Sequence, residues 1–86
     1  MGTYLYTYFY ATKIARLKTF ESWPRQMNPK AEELAQAGFF HKGISDQCTC
    51  FFCGISCNNW EFGDNAFQEH INHNSKCKYI QMVCTL

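Results

Sequence analysis

Positions 4–10 alternate between tyrosine and other residues. A tyrosine stands at every second position from Tyr4 to Tyr10, with Leu, Thr and Phe between them. A period of two predicts an extended segment. Two interpretations are open for this Tyr-rich N-terminal arm, residues 1–12. It pairs as a strand with a partner or a second copy of the chain, or it packs on its own domain.

A change to helical spacing follows the arm. Residues 13–22 place Ile14, Leu17 and Phe20 on one face, which predicts a short amphipathic helix. Pro24 cannot continue a helix, so it marks the end of this element.

A second helix is predicted over residues 29–37. Asn28 is a good N-cap, Pro29 suits the first helical position, and Leu34 faces inward. Gly38 is expected to end the helix as a C-terminal cap.

The second half of the chain predicts a small sheet and two further helices. Three short strands are expected at 39–40, 48–52 and 55–58. Asp64 or Asn65 is predicted to start a third helix, and a fourth helix or turn begins near Cys77. The pattern is two helices, three antiparallel strands and two helices.

Four residues in this half have the spacing of a metal site. Cys50 and Cys53 are separated by two residues, sixteen residues lead to His70, and six more lead to Cys77. Two cysteines of one tight turn can bind one ion, and residues seven apart lie about two helical turns apart. Three thiolates and one imidazole form the tetrahedral set of a structural zinc ion. The sequence therefore predicts a small α+β zinc domain around one Zn²⁺.

The six cysteines leave a second interpretation open, in which three disulfides stabilise a secreted protein. A zinc site would instead leave Cys48, Cys57 and Cys84 as free thiols. This odd number favours a reducing compartment, so a cytoplasmic location is expected. The first ten residues lack the basic and aliphatic regions of a signal peptide.

The length of the chain and its net charge exclude further classes of function. With 86 residues the chain forms one domain, and its net charge of +1 argues against a mainly electrostatic nucleic-acid binder. The chain has no run of about 18 apolar residues, so no membrane span is predicted.

A reactive Cys-x-x-Cys dithiol is the one route to an enzyme. Zinc bound to these cysteines would block the reactivity of the dithiol. Because no paired base is evident either, no catalytic activity is expected.

Besides the four spaced metal-ligand candidates, the chain contains several other short sequence motifs in a specific order. They are RLKTF at 16–20, Trp23-Pro24, LAQAGFF at 34–40, Gly43, Asp46, CFFCG at 50–54, Trp60-Glu61, Gly63-Asp64 and Glu69-His70. The chain resembles a baculoviral IAP repeat, the BIR domain of inhibitor-of-apoptosis (IAP) proteins. The resemblance implies a short three-stranded antiparallel sheet surrounded by about four short helices. It places the BIR zinc domain at 13–80, with 81–86 as a tail or the end of the last helix.

The resemblance also implies a function. Many BIR domains bind proteins whose exposed N-terminus begins with Ala, such as caspases and IAP antagonists, and so restrain apoptosis. The peptide adds to the edge of the third strand, and carboxylates receive its ammonium group. The corresponding groove residues here are Ile55, Ser56, Cys57, Asn58, Trp60, Asp64, Glu69 and His73. Ubiquitin-ligase activity in the family belongs to a RING domain, which these residues do not contain.

Several groove residues allow a structural interpretation instead. Trp60 suits an ordinary core, Asp64 a helix N-cap and Glu69 a solvated helix face. Peptide-binding members often have glycine in place of Ser56 and a bulky aliphatic residue in place of Cys57.

The alternative is therefore a BIR domain without a peptide groove. Such a domain acts as a scaffold or oligomerisation module that recruits an adaptor, with self-association through the N-terminal arm. His73 is an unsuitable zinc ligand because the spacing of His70 and Cys77 matches the family.

Overall fold

The computed structural model describes residues 7–84. In chain order its elements are α1 (Lys13–Lys18), α2 (Ala31–Gln36), β1 (Phe39–His41), β2 (Cys48–Cys50), β3 (Ser56–Cys57), α3 (Ala66–His73) and α4 (Lys78–Cys84). The strands form one antiparallel sheet in the order β1-β2-β3. This arrangement confirms the predicted α+β fold, including the order of its helices and strands.

The described part of the N-terminal arm packs against the domain. Residues 7–9 are helical, so the prediction of an extended segment is wrong for these positions; its first six residues lie outside the described residues. The Thr7 hydroxyl donates to the Phe51 carbonyl at 3.1 Å, and the Tyr10 ring stacks on Phe40 with 4.3 Å between centroids. These tertiary contacts outweigh the local alternation of residues.

Helix α1 presents a different face to the core from the one predicted. Its N-cap Thr12 accepts the Ala15 N–H, and the helix ends at Lys18 rather than residue 22. Ile14, expected inside, is 68% exposed, whereas Arg16 is 2% exposed. The prediction for Ile14 is wrong because the hydrogen bonds of the Arg16 side chain, described below, determine which face turns inward.

Helix α2 begins two residues later than the sequence indicates. Its N-cap is Lys30, whose N–H donates to the Glu33 carboxylate at 3.0 Å. The Pro29 carbonyl instead accepts the Trp23 indole N–H at 3.1 Å. Asn28 is therefore not the N-cap, because the hydrogen bond from Trp23 holds Pro29 outside the helix.

Gly38 turns the chain from α2 into β1 and is confirmed as the residue that follows the helix. Its φ of +100° is the left-handed region that glycine adopts freely. A Cβ added here would lie 2.9 Å from the Tyr79 ring. The ring cannot retreat easily, because the Tyr79 hydroxyl donates to the Gln36 carbonyl and accepts from Arg16.

We expect Gly38→Ala to lower the free energy of unfolding by about 3 kcal/mol, from left-handed backbone strain together with overpacking. Gly43→Ala is the matched control, since Gly43 has φ +84° but open space around its missing Cβ. The Gly43→Ala substitution should lower the free energy of unfolding by only about 1–2 kcal/mol. Urea unfolding of both variants measures the difference; equal losses would show that the Tyr79 contact has no effect.

The core lies between the sheet and the helices on both sides. Leu34, Ala35, Ala37, Phe39 and Ile80 are at most 1% exposed. This confirms the predicted inward position of Leu34. No helix within residues 7–84 is long and apolar enough to span a membrane.

Candidate metal centre and peptide groove

The structure brings four cysteine and histidine side chains to one point. One ligand atom from each lies within 4.8 Å of those of the others, and the four residues are Cys50, Cys53, His70 and Cys77. They come from β2, the turn after it, α3 and the start of α4. The cluster therefore connects the sheet to both C-terminal helices.

The turn after β2 positions the first two cysteines. The Gly54 N–H donates to the Cys50 carbonyl at 3.0 Å and closes the turn. The backbone N–H groups of Phe52 and Cys53 point at the Cys50 sulfur, at 3.3 and 3.4 Å. Such N–H donors stabilise negative charge on a sulfur, so the turn is organised around a thiolate.

His70 reaches the cluster with its ring orientation determined by a backbone acceptor. Its Nδ1–H donates to the Ala37 carbonyl at 2.9 Å, and the residue is fully buried. Because a carbonyl only accepts, Nδ1 carries the proton and Nε2 presents a lone pair to the cysteines. The acceptor is thus one of the carbonyls at the end of α2 that have no partner within the helix.

The spacing of the ligand atoms fits a tetrahedral zinc ion. Zn–S bonds of about 2.3 Å and a Zn–N bond of about 2.0–2.1 Å place two sulfurs roughly 3.8 Å apart, and a sulfur and nitrogen roughly 3.6 Å apart. The sulfurs of Cys50 and Cys77 are 3.9 Å apart, and the Cys53 sulfur is 3.5 Å from His70 Nε2. The three-sulfur, one-nitrogen donor set matches the same metal.

Burial makes the cluster unfavourable for charged groups that lack a counter-charge. It raises the pKa of Cys50 and Cys77 and lowers the pKa of His70. Each thiolate adds repulsion on its neighbours, which only a cation among them can offset. The chemistry of the donor set therefore fits a bound divalent metal.

One positive charge that acts on the cluster comes from a buried side chain. Lys76 and Lys78 flank Cys77, but both are exposed. Arg16 is buried instead: burial lowers its pKa, while attraction to Tyr79 and to Cys50 opposes the shift. The resemblance to BIR domains implies a buried Arg16 that is hydrogen-bonded to carbonyls, and the structure confirms this prediction.

Strand β3 leaves one edge of the sheet unpaired among the described residues, because it pairs only with β2. The Cys50 N–H donates to the Ile55 carbonyl at 2.9 Å, so Ile55 and, two residues on, Cys57 direct their backbone groups toward β2. By the alternation of antiparallel pairing, the backbone groups of Ser56 and Asn58 point away from it. Both of these residues are exposed.

Asp64 and Glu69 occupy neighbouring positions at the start of α3. Asn65 is the N-cap, so Asp64 is at N′ and Glu69 at N4, positions whose side chains pack together in hydrophobic staples. Asp64 is not the N-cap; its Oδ2 accepts the Glu61 N–H at 2.8 Å. Both carboxylates are half-buried.

The remaining groove residues differ in exposure. Trp60 is 8% exposed and packs edge-to-face on Phe39, so most of its ring belongs to the core. His73 is exposed, and its Nδ1–H donates to the Glu69 carbonyl at 2.8 Å, which leaves Nε2 available to solvent. Burial raises the pKa of Cys57 to about 11, with a smaller contribution from the nearby Glu69 charge.

Comparison with known proteins identifies the family. Residues 16–81 match the model described as "BIR: Inhibitor of Apoptosis domain". The chain belongs to the BIR family. The expected resemblance is thereby confirmed.

Curated relatives support this assignment. The BIR domain is 43% identical over 74 residues to E3 ubiquitin-protein ligase IAP-3 of Orgyia pseudotsugata multicapsid polyhedrosis virus, covering 86% of the chain and 28% of the relative. It is 46% identical over 66 residues to E3 ubiquitin-protein ligase XIAP of Rattus norvegicus, covering 77% and 13%. The chain thus spans less than a third of either relative.

Two solved structures share the fold. The autoinhibited dIAP1-BIR1 domain matches with a TM-score of 0.74 at 33% identity, over 80% of this chain and 70% of that one. DIAP1 BIR1 bound to a Grim peptide matches with a TM-score of 0.69 at 35% identity, over 76% and 66%. The second structure shows a BIR domain in complex with a peptide.

Proposed function

We propose that this BIR domain binds the free N-terminus of partner proteins that begin with Ala, such as caspases or IAP antagonists, and so restrains apoptosis. The observation that carries this proposal is the open edge of β3 beside the adjacent carboxylates Asp64 and Glu69. A similar domain, DIAP1 BIR1, has been solved with a bound Grim peptide. The domain acts by binding rather than by catalysis.

One zinc ion stabilises the module in this proposal. It is held by Cys50, Cys53, His70 and Cys77, whose donor atoms have the spacing that a tetrahedral ion requires. The ion supplies the positive charge that three buried thiolates need, and it ties the sheet to α3 and α4.

The partner peptide adds as a fourth strand along β3. The outward N–H and C=O groups of Ser56 and Asn58 pair with its backbone. Ile55 and Cys57 keep β3 attached to β2 while the peptide binds. Main-chain pairing of this kind gives affinity that depends little on the peptide's side chains.

The peptide's ammonium group is recognised by the carboxylates at the start of α3. Two like charges at N′ and N4 repel each other, and a cation between them removes the repulsion. Asp64 Oδ2 accepts a hydrogen bond from the Glu61 N–H. This bond holds the carboxylate in place and leaves Oδ1 for the ligand. The exposed part of Trp60 and the ring of His73 border the pocket for the first side chain.

Calorimetric titration of the zinc-loaded domain with a short peptide starting Ala-Val-Pro tests the proposal. We expect binding that is lost when the same peptide is N-acetylated. Asp64→Asn keeps an oxygen for the Glu61 N–H but removes the charge, so it should weaken binding about ten- to a hundredfold. Glu21→Gln is the matched control, since Glu21 is an exposed carboxylate before Trp23, outside the groove residues.

Equal binding of the acetylated peptide would contradict recognition of the ammonium group. Absence of binding to either peptide by a folded, zinc-loaded domain would favour the scaffold alternative, in which an adaptor docks elsewhere. An equal loss in Asp64→Asn and Glu21→Gln would indicate a general charge effect rather than a specific contact.

A further inference from the structure

Ser56 of β3 and Thr49 of β2 are directly opposite each other in the register of the two strands. Their hydroxyl oxygens lie 2.9 Å apart, which is hydrogen-bond distance. Because Ile55 and Cys57 direct their backbone groups toward β2, those of Ser56 point to the open edge of the sheet. The side chain of Ser56 is thus held on the face of the sheet, and it leaves the open edge clear for a peptide backbone.

Burial decides which of the two hydroxyl groups donates. The Thr49 side chain is 2% exposed, whereas Ser56 is exposed to solvent. A buried O–H group without an acceptor is costly, and the Ser56 oxygen is at hydrogen-bond distance from Thr49. The Thr49 hydroxyl therefore donates to Ser56. The Ser56 O–H remains able to donate to a group at the edge of the sheet.

The direction of a bound peptide follows from the position of the carboxylates. Glu69 lies near Cys57, the last residue of β3, because its charge raises the pKa of that thiol. The ammonium end of the peptide therefore lies past the C-terminal end of β3, and the peptide runs antiparallel to the strand. With residue 1 at the carboxylates, residue 2 pairs with the outward backbone groups of Asn58. Residue 4 then pairs with those of Ser56, because outward-pointing groups recur at every second position.

We propose that Ser56 selects the fourth residue of the peptide and favours threonine there over an apolar residue of the same shape, an inference that rests on the proposed function. Residues that pair directly across two strands project their side chains from the same face of the sheet. The side chain of peptide residue 4 therefore lies beside the Ser56 hydroxyl, which donates to a threonine oxygen. A valine offers no acceptor and covers the Ser56 O–H without replacing its hydrogen bond to water.

The hydrogen bonds that result form a chain across three strands. Thr49 donates to Ser56, and Ser56 donates to the peptide. Bonds in such a chain polarise one another, which strengthens the bond to the peptide. Glycine at position 56 could take part in neither bond. The serine therefore adds selectivity at residue 4 without closing the edge on which the peptide binds.

Calorimetric titration of the zinc-loaded domain with Ala-Val-Pro-Thr and Ala-Val-Pro-Val tests the inference. Both peptides are amidated at the C-terminus, so that no terminal carboxylate lies beside residue 4. Threonine and valine have nearly the same shape, so the ratio of the two Kd values isolates the hydroxyl. We expect the threonine peptide to bind the original chain about two- to fivefold more tightly, the range for a cross-strand Thr–Ser pair.

Ser56→Ala should abolish this preference, because it removes the donor while the backbone pairing remains. Ser22→Ala is the matched control, since Ser22 is an exposed serine outside the groove residues, and it should retain the preference. Circular dichroism and zinc content show that both variants are folded. Each comparison is made within one variant, so a general change in peptide affinity does not alter the ratio.

Equal Kd values of the two peptides for the original chain would overturn the inference, as would a preference for valine. A preference for threonine that persists in Ser56→Ala would also overturn it, because another group would then be the donor. In these cases both peptides still bind, so the proposed function stands. If neither peptide binds, the proposed function fails and this inference fails with it.

Discussion

Cys77→Ala is expected to unfold the domain, and a strong chelator should unfold the original chain in the same way. Zinc binding by such a site is worth roughly 10–16 kcal/mol in small zinc peptides, whereas a whole domain has a stability of only about 5–15 kcal/mol. Cys77 connects α4 to the cluster, and its sulfur lies 3.9 Å from that of Cys50. Circular dichroism, with zinc content measured alongside, tests both predictions.

Cys57→Ala is the matched control for this substitution. Cys57 and Cys77 are almost equally buried, at 3% and 2% exposure, but only Cys77 lies in the cluster. The control should stay folded, retain one zinc ion and lose about 1 kcal/mol from a small cavity. A Cys77→Ala domain as stable as Cys57→Ala would refute the structural role of the metal, as would a chelated domain that remains folded.

Arg16→Met is expected to lower the free energy of unfolding by about 3–5 kcal/mol, because it breaks several hydrogen bonds made by a buried charged side chain. The guanidinium donates to the Ala35 carbonyl from Nε, at 2.9 Å. A second nitrogen donates to the carbonyls of Tyr10 and Ala11, at 3.0 and 3.1 Å. The third donates to the Tyr79 hydroxyl at 3.1 Å.

Methionine keeps much of the side-chain length of arginine but leaves these acceptors without a donor, and each unpaired buried acceptor costs roughly 1–3 kcal/mol. It also removes the cation 4.6 Å from the Phe51 ring centroid. Lys18→Met is the matched control, because Lys18 lies in the same helix and is exposed. Urea unfolding compares the two; losses within about 1 kcal/mol of each other would show that the network adds no stability.

The metal cluster could be predicted from the sequence because its chemistry depends on spacing. Cys50 and Cys53 come from one turn, so local geometry brings them together. His70 lies in α3 and Cys77 just before α4, and the short turn between these helices brings this second pair together. The Ala37 carbonyl that orients His70 was not predictable by name, because it lies 33 positions away.

The proposed peptide groove was predicted less completely. Its edge strand and its two carboxylates follow from the order of elements, and their neighbouring positions follow from the start of α3 at Asn65. The burial of Trp60 against Phe39 depends on how the sheet packs with the loop after β3. No local pattern contains that information.

By itself, the sequence predicted the order of α1 to α4 and of the three strands, the cysteines and histidine that the structure brings together, and the family. These features depend on periodicity, turn residues and short spacings, which act within a few positions along the chain. Only the tertiary structure decided that Ile14 faces outward, that α2 starts at Ala31, and that residues 7–9 are helical. In each case hydrogen bonds or ring contacts with residues outside the element outweighed the local preference, because burial makes an unpaired polar group more costly than a less favourable helix face.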